Sequence, residues 1–100
     1  MHGGTAAYMA PELINGNTDN NNMKVDVYSF GVILYLILNK GEFPKIGFVD
    51  VGNGKKAEIP SSFTSFSKNL INKCWSFDPK DRPSFSEIFE ALKGNKKNLI

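Results

Sequence analysis

Residues 25–38 read V-D-V-Y-S-F-G-V-I-L-Y-L-I-L, and this stretch decides the fold. Its second half, residues 32–38, is apolar without interruption, and no polar face recurs at helical spacing. That pattern is typical of a helix that is buried on every side. The apolar run is shorter than the roughly 20 residues that a membrane-spanning helix needs, and polar Asp26 and Ser29 stand upstream of it. We therefore predict a buried central helix.

The boundaries of this helix and the segment after it can also be read from the sequence. Asp26 lies near the start, where a carboxylate accepts free backbone N–H groups and meets the positive end of the helix dipole. The triplet N-K-G at residues 39–41 is a stop signal. Residues 41–60 contain several glycines and prolines, so we predict a loop there with one short helix near residues 43–51.

Two further helices are predicted in the second half of the chain. One begins near Ser61, with an apolar face and with Ser67, Lys68 and Lys73 toward solvent. The last one begins with the capping-box pair Ser84 and Glu87 and ends at Gly94. Their apolar faces comprise Phe63, Phe66, Leu70, Ile71 and Cys74 in the first helix, and Phe85, Ile88, Phe89 and Leu92 in the second. Residues 95–100 are expected to be a frayed tail. Because no strand pattern appears, the predicted fold class is all-α.

Composition excludes several classes of function. The 100 residues suffice for one domain or part of one, and the net charge is only +2. The lysines are scattered rather than gathered in a stripe, so we expect no nucleic-acid partner. Cys74 is the single cysteine, which excludes an internal disulfide and a cysteine zinc site, and we predict no metal site. No signal-peptide pattern is visible, so we expect a cytoplasmic protein without membrane association.

Arg82 is the single arginine among the 12 basic residues. Arginine is favoured over lysine where a planar, bidentate donor is required. A carboxylate in a similarly constrained position is Glu12, which follows Pro11. We infer a partly buried Glu12–Arg82 ion pair that joins the N-terminal segment to the loop before the last helix. The alternative is that Arg82 lies on the surface and Glu12 is an ordinary acid at a helix start.

Three motifs resemble the protein-kinase family. Residues 4–12, G-T-A-A-Y-M-A-P-E, look like the end of a kinase activation segment, and residues 26–31, D-V-Y-S-F-G, look like the start of the family's central helix. Residues 74–85, C-W-S-F-D-P-K-D-R-P-S-F, resemble the segment before its last helix. The resemblance implies the C-terminal helical subdomain of the kinase fold. On this reading residues 1–100 are a partial kinase domain, from the end of the activation segment to the last helix of the C-lobe.

The resemblance also implies residue roles. Gly4, Thr5 and Tyr8 would bind substrate, in the loop that receives the residue after the phosphoacceptor. Thr5 and Tyr8 suggest serine/threonine specificity, and the pair C-W at residues 74–75 suggests the tyrosine-kinase-like branch. Ala6 departs from the proline that is frequent in this loop, and residues 41–60 match the family's next helix poorly, which leaves partner choice open.

The remaining roles that the resemblance implies are structural. The family joins the positions of Glu12 and Arg82. Asp26 would anchor the backbone of the family's catalytic loop, although a plain helix cap is the alternative. Gly31 would let another element approach the central helix, and Trp75 is expected to pack in the core.

The resemblance implies that the chain is part of a serine/threonine kinase, an enzyme that transfers phosphate from ATP to protein hydroxyls. The glycine-rich loop, the lysine–glutamate pair, the catalytic aspartate and the D-F-G magnesium motif of kinases have no counterpart in residues 1–100. We therefore expect no catalytic residue and no cofactor in this chain, with ATP and magnesium belonging to an intact parent domain. By itself the chain should be inactive. Its expected partners are a protein substrate and the upstream kinase portion. The alternative is a non-catalytic, pseudokinase-like scaffold that binds a partner through the central helix.

Overall fold

The structure, a computed structural model, describes residues 10–15 and 23–99. Within these ranges it contains helices and no strand, which confirms the all-α prediction. The α-helices are α1 (Pro11–Ile14), α2 (Met23–Leu38), α3 (Phe48–Gly52), α4 (Ser65–Cys74) and α5 (Phe85–Gly94). Two short 3₁₀ helices comprise Pro79–Asp81 and Lys96–Asn98. None of the helices in the described part of the chain combines the length and the apolar character required to cross a membrane.

Helix α2 is the predicted central helix, and α4 packs against it. It ends where Lys40 and Gly41 adopt left-handed backbone angles, with φ of 57° and 84°, and Gly41 N–H bonds back to Leu36 O at 2.8 Å. Its buried residues are Val27, Tyr28, Gly31, Val32, Leu34 and Tyr35.

The prediction that α2 is buried on every side is wrong for one stripe of the helix. Met23, Ile33 and Ile37 are 65%, 43% and 69% exposed. Phe30, which is partly buried, lies on the same side because the spacing of 30, 33 and 37 follows the helical repeat. We call Met23, Phe30, Ile33 and Ile37 the apolar stripe. Sequence could not locate it, because an all-apolar helix does not reveal which of its sides has neighbours.

Helix α4 begins later than predicted, at Ser65 rather than near Ser61, because Thr64 is the N-cap and its hydroxyl accepts the N–H of Ser67 at 3.2 Å. Ser67 was expected to face solvent and is instead fully buried, where its hydroxyl donates to Leu99 O at 2.8 Å. The same contact corrects the expectation of a frayed tail for residues 95–99. These residues form a 3₁₀ turn against α4, and Thr64 also donates to Asn98 O.

Helix α5 has the predicted capping box. The N–H of Glu87 donates to the Ser84 hydroxyl at 3.1 Å, and the N–H of Ser84 donates to the Glu87 carboxylate at 2.8 Å. Hydrogen bonds from the backbone N–H and the side chain of Ser84 favour the ionised carboxylate and lower the pKa of Glu87. The apolar face is only partly confirmed, because Ile88 is 3% exposed whereas Phe89 is 62% exposed. The short helix predicted near residues 43–51 is α3, at Phe48–Gly52.

Candidate functional site

The guanidinium group of Arg82 is the centre of the site. Arg82 caps the C-terminal end of the 3₁₀ helix Pro79–Asp81, a turn that begins with the Asp78 side chain accepting the N–H of Lys80 at 3.0 Å. Pro83 follows it and α5 begins two residues later. This short, capped turn holds the arginine side chain in the interior of the protein, where the residue is only 2% exposed. A buried arginine needs acceptors for its five N–H groups.

Every one of those five donors has an acceptor in the structure. Two parallel bonds of 2.8 Å run from Nη1 and Nη2 to the two carboxylate oxygens of Glu12. Nη1 also donates to Lys24 O at 2.9 Å, and Nη2 also donates to Phe77 O at 3.3 Å. Nε donates to Ser76 O at 2.8 Å. The arginine therefore joins α1, the first turn of α2 and the connection after α4 through a single side chain.

The ion pair is largely shielded from water. The side chains of Arg82 and Glu12 are 0% and 8% exposed. Tyr28 of α2 covers the guanidinium, with the Arg82 Cζ atom 5.1 Å from the ring centroid, a cation–π geometry. Burial raises the pKa of Tyr28 to about 12; the Arg82 charge lowers this pKa and the Glu12 charge raises it. Tyr28 therefore supplies a neutral, apolar lid, and among the described residues Glu12 is the carboxylate that pairs with Arg82.

Gly31 of α2 lies against the C-terminal end of α4 and the residue that follows it. A Cβ atom at Gly31 would lie 2.8 Å from Trp75 Nε1 and 2.9 Å from Cys74 Cβ, so only glycine allows this approach. Trp75 is 3% exposed, and its ring stacks with Tyr28 and Tyr35 at centroid distances of 6.3 and 5.7 Å. Its Nε1 has no hydrogen-bond partner within residues 10–15 and 23–99.

Cys74 lies in the same contact and is fully buried. Burial raises the pKa of its thiol to about 12, and the Arg82 charge opposes this only in part. A protonated, enclosed thiol is a packing group and not a nucleophile. Among the described residues, no three His, Cys, Asp or Glu side chains are grouped so that they could hold a metal ion. The arrangement can fix backbone segments in place, and it carries no reactive group.

The family model described as protein tyrosine and serine/threonine kinase matches residues 3–92. The chain belongs to this kinase family. The kinase match covers α1 to α4 and all but the last two residues of α5, and so includes the whole site around Arg82.

Several curated kinases of Dictyostelium discoideum are similar to the chain. It is 44% identical to dual specificity protein kinase shkE over 96 residues, which is 89% of the chain and 13% of shkE. It is 38% identical over 96 residues to RGS domain-containing serine/threonine-protein kinase A, covering 91% of the chain and 8% of that kinase. A probable LIM domain-containing serine/threonine-protein kinase is 38% identical over 104 residues, or 99% of the chain and 11% of the relative. The chain thus spans about a tenth of the length of these kinases.

The structure brings together some of the residues that the sequence singled out. The Glu12–Arg82 ion pair is present, Trp75 is buried in the core, and another segment of the chain approaches α2 closely at Gly31. Asp26 lies in the first turn of α2 with an exposed side chain. An anchoring role for Asp26 toward a kinase catalytic loop remains a prediction. The predicted substrate-binding residues Gly4, Thr5 and Tyr8 lie outside the described residues.

Sequence reasoning missed the backbone acceptors of the site. The carbonyls of Lys24, Ser76 and Phe77 receive three of the five arginine donors. No side-chain signal marks a backbone carbonyl, so only the turn geometry between α4 and α5 reveals them. The sole indirect signal in the sequence was the use of arginine where every other basic residue is lysine.

Proposed function

We propose that the chain is the C-terminal part of a protein serine/threonine kinase domain, in which it supplies the substrate-binding loop and the structural base of the C-lobe. The observation that carries the proposal is the saturated Arg82 clamp. Its partner Glu12 directly follows the segment that contains Gly4, Thr5 and Tyr8. Fixing Glu12 to the core limits where that segment can lie, which is the positioning that phosphoryl transfer demands.

The names of the relatives support a hydroxyl-directed kinase. Two of the three relatives named above are called serine/threonine-protein kinases and one is called a dual specificity kinase. The proposed substrate is therefore a protein serine or threonine, and the proposed branch is tyrosine-kinase-like. ATP and magnesium would be held by other parts of the kinase domain, because the glycine-rich loop, the lysine–glutamate pair and the D-F-G motif of kinases have no counterpart in residues 1–100. We assign no step of phosphoryl transfer to residues of this chain.

The apolar stripe supports the view that other kinase segments cover α2. Met23, Ile33 and Ile37 are exposed on a helix whose opposite side forms the core. Large apolar side chains grouped on one exposed side of a helix are unfavourable unless a partner covers them. In the proposed function the partner is the preceding portion of a kinase domain.

A chimeric kinase tests the proposal. The segment of shkE that aligns with the chain is replaced by residues 3–92, and phosphorylation of a protein substrate is measured. We expect activity within about tenfold of shkE, and a further loss of about tenfold or more for Thr5→Ala, because small displacements of a substrate loop are costly in rate. Ser86→Ala, at an exposed position in α5, is the matched control and should leave the rate unchanged.

A folded chimera without phosphotransfer would refute the proposal. That result would favour the second candidate, a pseudokinase-like scaffold, for which the exposed apolar stripe is the supporting observation. The scaffold reading makes its own prediction, that Ile37→Asp abolishes partner binding while the chain still folds.

A further inference from the structure

The side chain of Asn15 attaches the end of α1 to α3. Its Nδ2 group donates to Gly52 O at 2.9 Å, a bond that spans 37 positions of the chain. Gly52 is the last residue of α3. The carbonyl groups in the last turn of a helix have no N–H partner within that helix. Asn15 therefore supplies, from another element, a hydrogen-bond donor for the C-terminal end of α3.

The neighbouring carbonyls at this end of α3 are bonded locally. The oxygens of Val49, Asp50 and Val51 accept N–H groups of residues 53–55 at 2.9–3.2 Å. The Gly52 carbonyl instead bonds to the residue that follows α1. The bond between Asn15 and Gly52 thus joins two elements that are distant in sequence.

The two elements also approach each other closely at Gly52. A Cβ atom at this position would lie 3.1 Å from Ile14 Cγ2 and 3.1 Å from Asn15 Oδ1. Both distances are shorter than the 3.5–4.0 Å or so of an optimal contact between non-bonded carbon atoms. Helix α3 is itself anchored in the core by Val51, which is 2% exposed. The end of α1 therefore packs on an element that the core holds in place.

Helix α1 needs such anchors because it is a single turn. The N–H groups of Ile14 and Asn15 donate to the carbonyls of residues 10 and 11 at 3.2 and 2.9 Å. A helix this short is not stable in isolation, since the first turn fixes several residues for very few hydrogen bonds. Its position must therefore come from side chains that reach other elements.

Two side chains do this, one in the first turn and one at the end. Glu12 bonds to Arg82, and Asn15 bonds to α3. In the sequence, α1 follows the proposed substrate-binding loop, residues 4–8, almost directly. We propose that Asn15 is a positioning residue for the protein substrate, because with Glu12 it fixes the point at which this loop ends. The inference rests on the proposed function, which assigns substrate binding to residues 4–8.

The expected effect of losing this bond is on substrate affinity. Without the Asn15 side chain, α1 occupies its place for a smaller fraction of the time, and the apparent affinity for the protein substrate falls in proportion to that fraction. Once substrate is bound, the loop is in place and the rate of the chemical step is unchanged. The affinity for ATP is also unchanged, because ATP is held by other parts of the proposed kinase domain.

Kinetics of the shkE chimera that carries residues 3–92 test the proposal. Asn15→Ala should raise the KM for the protein substrate about two- to tenfold, the factor expected from one net hydrogen bond, with kcat and the KM for ATP unchanged. Partial unfolding of the enzyme would instead lower kcat and leave both KM values unchanged. Asn53→Ala is the matched control and should change none of the three constants, because Asn53 is exposed and keeps its backbone bonds to α3.

Two further variants test the geometry of the bond. Asn15→Asp keeps the size of the side chain but replaces the donor by a carboxylate that faces Gly52 O, so it should raise the KM for the protein substrate at least as much as Asn15→Ala. Gly52→Ala places a methyl group 3.1 Å from Ile14 and should raise the same KM.

Hydrogen exchange of the full 100-residue chain measures the anchor without relying on activity. In Asn15→Ala the N–H of Ile14, which bonds to Ala10 O, should exchange about two- to tenfold faster, because α1 opens more often. The N–H of Ile88, which bonds to Ser84 O at 2.9 Å in α5, is the internal reference and should be unchanged. Asn53→Ala should leave both exchange rates unchanged.

The two measurements separate this inference from the proposed function. An inactive chimera would refute the proposed function; faster exchange at Ile14 would then still support the anchor, and unchanged exchange would overturn it. In an active chimera, the positioning role would be overturned if Asn15→Ala left the KM for the protein substrate unchanged, or if it lowered kcat alone.

Discussion

Glu12→Gln is the perturbation that best separates a structural clamp from an ordinary surface contact. Glutamine keeps the shape of the side chain but replaces one carboxylate oxygen by an NH₂ group, which then faces an arginine N–H. Arg82 remains 2% exposed with its charge unbalanced. Removing one partner of a buried pair costs about 3–5 kcal/mol. Since small domains have a free energy of unfolding of about 5–15 kcal/mol, the variant should be close to unfolding.

Urea denaturation followed by the fluorescence of Trp75, the single tryptophan, measures this cost. With a slope of about 1–3 kcal/mol/M, the midpoint should fall by about 2 M. The matched control is Asp50→Asn, which removes the Lys55–Asp50 pair at 3.9 Å, where the side chains are 71% and 51% exposed. It should cost less than about 1 kcal/mol. If Glu12→Gln were no more destabilising than Asp50→Asn, the clamp would not hold the fold together and the reasoning would be refuted.

Three further predictions concern the core and the parent activity. Gly31→Ala should destabilise the chain by about 1–3 kcal/mol in the same urea titration, because the added methyl group would lie within 2.9 Å of Trp75 and Cys74. Gly94→Ala is the control, and it should be neutral or slightly stabilising because no atom lies within 4 Å of the added methyl group. Because the pKa values of Cys74 and Tyr28 rise from 9.0 and 10.0 to about 12 on folding, the folded state binds their protons more tightly. Their contribution to the free energy of unfolding is complete below pH 9.0 and decreases as the pH rises toward 12, so the urea midpoint should fall over this range. A midpoint that stays constant from pH 9.0 to 12 would contradict the burial of both groups. Calorimetry should detect no binding of ATP with magnesium to the 100-residue chain, and a saturable heat of binding would show that the chain has a nucleotide site of its own.

Much of the fold could be predicted from local sequence signals. The capping box at Ser84 and Glu87 and the stop at Gly41 are short-range features, because each depends on bonds between residues three to five positions apart. The Glu12–Arg82 pair is separated by 70 positions, yet a lone arginine in a lysine-rich chain already indicated it. These features could be inferred because the chemistry of a residue type limits what it can do.

The sequence by itself determined that the main helices exist, the capping box of α5 and the identity of the two charged partners. Only the tertiary structure decided that Ser67 is buried, that the apolar stripe of α2 is exposed, and that three backbone carbonyls complete the shell around Arg82. It also decided that the side chain of Asn15 reaches Gly52 at the end of α3. The physical reason is that periodicity gives the apolar sides of a helix but not its neighbours, and that every residue carries the same carbonyl group, whose orientation depends on the path of the folded chain.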